Sequence, residues 1–159
     1  MTNWTTWEPQ VRANLLFIVR DEKILLIRKK RGFGAGKING PGGKVDPGET
    51  PLQSALRETF EELGISPLGT TQQGELHFQF CDGYSLHCAV FLAHDFARQP
   101  RETEEAVPLW TPLDQIPYDE MWADDRYWLP LLIRGAHFTG YFEFEGEQLL
   151  NREIIVRQL

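Results

Sequence analysis

The sequence predicts an α/β chain in which a mixed β-sheet is packed between helices. Two apolar hairpins, at residues 11–28 and 75–93, and a strongly capped helix between them carry that expectation. The order of elements, β-β-loop-α-β-β-α-β-β, alternates too much for an all-β sandwich or a helical bundle. A length of 159 residues suits one domain spanning 1–159. No internal repeat, low-complexity tract or Ser/Gly-rich linker divides it.

Val11–Arg20 and Ile24–Arg28 are β-branched, apolar runs separated by Asp21-Glu22-Lys23, which reads as a hairpin. Lys29–Gly43 follows as a loop with six glycines, and a loop of that length in a compact domain is usually functional. Thr50–Leu63 is the clearest helix. Thr50 can cap it, Pro51 suits the first turn, Gln53 completes a capping box and Gly64 suits the left-handed position after the end. Leu52, Leu56, Phe60 and Leu63 supply its apolar stripe. Glu75–Phe80 alternates, with Leu76, Phe78 and Phe80 on one face, and Ser85–Ala93 answers it across Asp82-Gly83. Trp110–Ile116 reads as a strand end and turn, and Asp125–Arg134 as a second helix bent at Pro130. Tyr141–Phe144 and Ile154–Arg157 close the chain as strands around Glu145-Gly146.

Charge narrows the function. Sixteen basic against twenty-three acidic residues leave a net charge of −7, which disfavours binding to duplex nucleic acid or an anionic membrane. The apolar runs are too short to span a bilayer, and MTNWTTWEPQ lacks the regions of a signal peptide. Cys81 and Cys88 form neither a CxxC pair nor a disulfide framework, which fits a reducing, cytoplasmic setting; both read as small core or strand residues. GFGAG is not a dinucleotide fingerprint, no GxSxG nucleophile motif occurs, and the four histidines lack zinc-site spacing.

The helix carries a chemical tension. Glu58, Glu61 and Glu62 lie at i, i+3 and i+4, with Cβ atoms about 5–6 Å apart, and they crowd its C-terminal half. Anions are unfavourable at that end, and Arg57 relieves only part of the repulsion. A divalent cation held by hard oxygens would compensate; an acidic solvated face is the plainer alternative.

The segment from Gly43 through Glu49, Arg57-Glu58, Glu61-Glu62 and Gly64 to Ile65 resembles the Nudix hydrolase box, G-x5-E-x7-R-E-U-x-E-E-x-G-U, with U bulky and apolar. All fixed positions match at the right spacing; only Thr59 departs, standing at an apolar position, where slightly poorer packing is expected. The resemblance implies the Nudix fold and hydrolysis of nucleoside diphosphate derivatives with Mg²⁺, for which Mn²⁺ can substitute. It implies that Glu58 and Glu62 ligate metal with Glu61 and the Gly43 carbonyl, and that Glu49 and Arg57 pair to hold the loop on the helix. One of these glutamates would be the general base.

Residues 29–45, 113–133 and 138–145 resemble the oxidised purine nucleoside triphosphatases, the 8-oxo-dGTP diphosphatases. In this light Phe33, Phe78 and Trp122 form an aromatic slot, and Asn39 with Asp124 and Asp125 reads the base edge. Taken alone, Phe33 and Phe78 fit an ordinary core, Asn39 a turn, and the two aspartates a helix cap with a first-turn anion. Asn14, on the Leu16/Ile18 side of its strand, is expected to face the pocket. Glu105 is placed near the metal, and Lys29 in the pocket or at a solvated strand end. The expected activity is Mg²⁺-dependent conversion of an oxidised purine nucleoside triphosphate to monophosphate and pyrophosphate by a monomer. Another nucleoside diphosphate derivative as substrate, or a non-catalytic nucleotide-binding module, are the alternatives.

Overall fold

The computed structural model describes residues 1–157. Strands β1 (Val11–Arg20) and β2 (Lys23–Lys29) form the expected first hairpin. The glycine-rich loop contains two short strands, β3 (Ile38–Asn39) and β4 (Gly42–Lys44), and then leads into helix α1 (Pro51–Leu63). After a short β5 (Ser66–Leu68) comes the second hairpin, β6 (Thr71–Phe80) and β7 (Ser85–Ala93). Strands β8 (Asp95–Ala97) and β9 (Ala106–Pro112) precede helix α2 (Asp125–Ile133), and β10 (His137–Glu145) with β11 (Gln148–Arg157) closes the described chain. Strand β9 begins before the expected Trp110, and the last two strands are longer than expected.

Among the described residues nine strands form one mixed sheet in the order β11-β10-β6-β7-β1-β2-β3, with β4 also on β1 and β9 on β2. The pairings β1/β7 and β6/β10 are parallel and the others antiparallel. Strand β1 is the junction: residues 11–18 pair with β7, residues 13–15 also pair with β4, and residues 19–20 pair with β2. Its alternation sends Leu16 and Ile18 towards α1, where they meet Ala55 and Leu63. Phe17 goes to the other layer with Trp128, Leu129 and Leu132 of α2. The sheet therefore carries one helix on each face.

Helix α1 has the capping box of Thr50 and Gln53, and Gly64 ends it at φ 73°. Its expected apolar stripe holds only in part: Leu63 is buried and Leu56 packs against the core. Leu52 and Phe60 are exposed, and the buried face is Ser54, Ala55, Thr59, Glu62 and Leu63. Small and polar residues let the helix lie close to β1 and β4, while Phe60 is covered from outside by the Arg98 guanidinium at 5.4 Å. Thr59 is fully buried and donates its hydroxyl to the Ala55 carbonyl at 2.7 Å.

Candidate active site

A cavity of about 600 Å³ runs from α1 to the start of α2. Gly43, Glu58, Glu62 and Glu105 border it as an acidic wall, and Phe33, Phe78, Trp122, Asp124 and Asp125 as an aromatic and acidic one. Lys29, Asn39 and Asn14 also border it, whereas Glu49, Arg57 and Glu61 are not among its walls.

Arg57 explains that separation. Its Nε and Nη2 grip Glu49 at 2.7 and 2.9 Å, and its Nη1 reaches Glu58 at 3.0 Å and Glu61 at 3.2 Å. Glu49 also accepts from the Asp46 N–H at 2.9 Å. The Arg57 bonds and that N–H hold the Glu49 carboxyl below the ordinary range. Arg57 Nη2 and Ser54 Oγ both donate to the Lys44 carbonyl, so β4 is tied to α1 beside Gly43. A side chain at Gly43 would meet the Glu58 carboxylate and force it to move, so glycine is what lets the two approach this closely.

Glu62 is buried, and its Oε1 accepts from the Gly42 N–H at 2.8 Å. Burial first, then the charges of Glu58 and Glu105, pushes its carboxyl up to about 8. Glu58 is raised by burial too, against the pull of Arg57. Among the described residues no three acidic, histidine or cysteine side chains converge on one point. The donor set nonetheless fits a divalent ion, because the hard carboxylate oxygens of Glu62, which among the described residues pairs with no cation, and of Glu58, which gives only one oxygen to Arg57, border the same wall as the backbone of Gly43. Glu105 is differently placed: Arg31 pairs with it and holds its carboxyl low.

At the far end the two aspartates are both buried. Asp124 makes no side-chain cap for α2; its Oδ2 instead accepts from Trp128 Nε1 at 2.7 Å. Desolvation raises both carboxyls, and Asp125 is raised further by the charge of Asp124 beside it. Phe78 stacks on Phe142, with centroids 5.4 Å apart. Phe33 stacks on Trp122 at 5.2 Å, and Phe80 and Phe144 meet that indole nearly at right angles.

The model of the NUDIX domain matches residues 9–132, which takes in both walls of the cavity. The chain belongs to the Nudix hydrolase family. Two relatives are named oxidized purine nucleoside triphosphate hydrolase. The one from Danio rerio is 42% identical over 137 residues, 86% of this chain and 88% of its own length. The one from Mus musculus is 41% identical, with the same coverage. In fold, this Nudix chain matches the crystal structure of the MutT protein from Bacillus halodurans with a TM-score of 0.82 and 23% identity, covering 91% of this chain and 97% of that one.

In this Nudix chain Asn14 and Lys29 border the cavity, each with a side-chain bond of its own, and one placement, that of Cys81, departs from expectation. Asn14 borders the cavity, but its amide turns to α1 and donates to Ser54 Oγ at 2.8 Å, leaving Oδ1 buried and without a partner. The Leu16/Ile18 side of β1 is the side α1 covers. The Lys29 ammonium is spent on the Phe33 carbonyl at 2.7 Å. Cys81 is exposed in a turn, whereas Cys88 is buried and borders the cavity, its thiol pushed up by burial and then by the charges of Asp124 and Asp125. Sequence reasoning left the N-terminal segment without a role, yet Trp4 and Trp7 pack on His77 and Tyr141, and Trp7 Nε1 donates to Gln79. Two tryptophans in ten residues were the available signal.

Proposed function

We propose that the chain is a Mg²⁺-dependent pyrophosphohydrolase of oxidised purine nucleoside triphosphates, adding water across an anhydride bond to release the monophosphate and pyrophosphate. The observation that carries this reading is one cavity joining the glutamates of α1 to an aromatic slot that holds two buried aspartates. The names of the zebrafish and mouse relatives support the same substrate class.

Glu58, Glu62 and the Gly43 carbonyl would hold the metal, with Glu61 and Glu105, now paired with Arg57 and Arg31, as further carboxylates for it. When bound, Mg²⁺ neutralises phosphate oxygens and acidifies a water. Arg57 and Glu49 act as positioning residues, clamping the loop so that Gly43 faces Glu58. A glutamate of this set, once free of its proton, takes one from the attacking water. Trp122 and Phe78 give the base a flat apolar place, and Asn39, Asp124 and Asp125 read its edge. With one proton shared between them, the aspartates offer both a donor and acceptors. That matches a purine edge bearing N–H groups and a carbonyl.

A panel of nucleotides with a pyrophosphate readout tests the reading. Oxidised purine triphosphates should be hydrolysed well ahead of unmodified nucleotides, ADP-ribose and dinucleoside polyphosphates. A preference for ADP-ribose would overturn the substrate class and leave the fold untouched.

A further inference from the structure

The loop between β2 and β3 covers Trp122. Phe33 lies on the indole with centroids 5.2 Å apart and planes only 13° apart, so the gap between the rings cannot exceed 5.2 Å. A flat base inserted between them needs two van der Waals spacings, at least about 7 Å. Base and Phe33 therefore cannot share that face of the indole. Lys37, from the same loop, sets its Nζ 5.2 Å from the indole centroid and pairs with Glu147 in the β10–β11 turn. Two of the groups that cover Trp122 thus come from one loop.

That loop has the construction of a moving part. Phe33 is 50% exposed although aromatic. Gly32, Gly34 and Gly36 all have positive φ, at 85°, 79° and 89°, so three hinges flank the ring within five residues. Backbone bonds from Lys29 N–H to the Lys37 carbonyl at 3.1 Å and from Gly36 N–H to the Lys29 carbonyl at 2.8 Å close the base of the loop. The side-chain ties of its tip, Lys29 Nζ to the Phe33 carbonyl at 2.7 Å and Arg28 Nη1 to the Gly36 carbonyl at 3.0 Å, are solvent-exposed, and water can replace them at small cost. Lys29 itself borders the cavity, so lifting Phe33 frees an ammonium beside an incoming anion.

We propose that Gly32–Gly36 is a lid whose Phe33 occupies the stacking face of Trp122 in the free protein, and that a purine nucleotide binds by displacing it; this rests on the base-stacking role proposed above for Trp122. Phe33 is then a competitor of the base, and Lys29 is the group its departure releases.

The test uses the full chain and the monophosphate of 8-oxo-deoxyguanosine, which is not turned over. Phe33→Leu should bind this probe about two- to tenfold more tightly, the range one aromatic pair is worth, through faster association in stopped flow. Weaker binding would overturn the lid and make Phe33 a clamp on the base. As a second arm, 4-fluorophenylalanine at position 33 reports the ring current of Trp122. The probe nucleotide should move its resonance in the same direction as Trp122→Leu does in the free protein. Normal binding with an unmoved resonance would sink the lid alone. If the parent neither bound nor hydrolysed any oxidised purine nucleotide, the functional reading would fail and the lid would lose its ligand with it.

Discussion

Trp128 donates its indole N–H to Asp124 at 2.7 Å from a wholly buried position in α2. The bond favours the ionised carboxylate and works against the desolvation that raises it. Trp128→Phe would leave a buried acceptor without its donor, a cost of about 1–3 kcal/mol in stability. It should also raise the pH at which Asp124 ionises, so the acid limb of kcat/KM moves to higher pH. A lower melting temperature with an unmoved limb would make Trp128 structural only.

The aspartates should also discriminate between bases. Burial, and then the charge of Asp124, both raise the Asp125 carboxyl. The titration belongs to the pair. A guanine-like edge and an adenine-like edge present different donor patterns, so 8-oxo-guanine and 2-hydroxy-adenine nucleotides call for different proton placements. Asp124→Asn and Asp125→Asn should each damage turnover, with unequal losses for the two substrates across pH. Equal losses at every pH would rule out proton-switched reading.

Much of this site was legible in the sequence because its information is local. The i, i+3, i+4 glutamates and the Thr50/Gln53 box define α1 by spacing alone, and Trp122 with Asp124 and Asp125 sits within four residues. Asn14 borders the cavity, but its bond to Ser54 was not legible, because both faces of β1 are covered and alternation does not report which partner a buried amide finds. Leu52 and Phe60 were misplaced in the stripe of α1, whereas Leu56 and Leu63 hold, because size is a poor guide where a helix must come close and keep a carboxylate inward. The Phe33–Trp122 stack and the sharing of Arg57 join distant segments, and no periodicity reports such contacts.

Trp122→Ala should weaken nucleotide binding by about 1–3 kcal/mol through lost stacking. The loss should be similar for several purines, because a π-face carries little information about the base edge. Michaelis constants across a purine series check this. Unchanged values would place the indole in the core of the loop packing rather than in the base site.

Glu49→Gln tests the clamp. Glu49 takes two of the bonds of Arg57, at 2.7 and 2.9 Å. With that charge gone, Arg57 is free to bind Glu58 and Glu61 more fully and to compete with a cation for them. The Mg²⁺ concentration giving half-maximal rate should rise, while the Michaelis constant for nucleotide at saturating Mg²⁺ changes little. Arg57→Lys, which cannot form the paired contact, should behave alike. An unaltered Mg²⁺ requirement in both would detach the clamp from the metal site.

Glu62 gives the sharpest pH signature. Its buried carboxyl is pushed up to about 8, whereas in the unfolded chain it returns to the ordinary 4.5. Between those values the folded metal-free protein holds a proton that the unfolded chain has lost. Stability therefore falls as pH rises across that window. Glu62→Gln removes the ionisation, so the melting temperature of the metal-free variant should decline less from pH 5 to pH 8. Added Mg²⁺ at pH 8 should raise the melting temperature of the parent more than that of the variant, because the cation favours the carboxylate it binds. Turnover should be lost in the variant while its fold survives. Matching pH slopes for parent and variant would show that Glu62 ionises normally, and a fully active Glu62→Gln would remove it from the metal ligands.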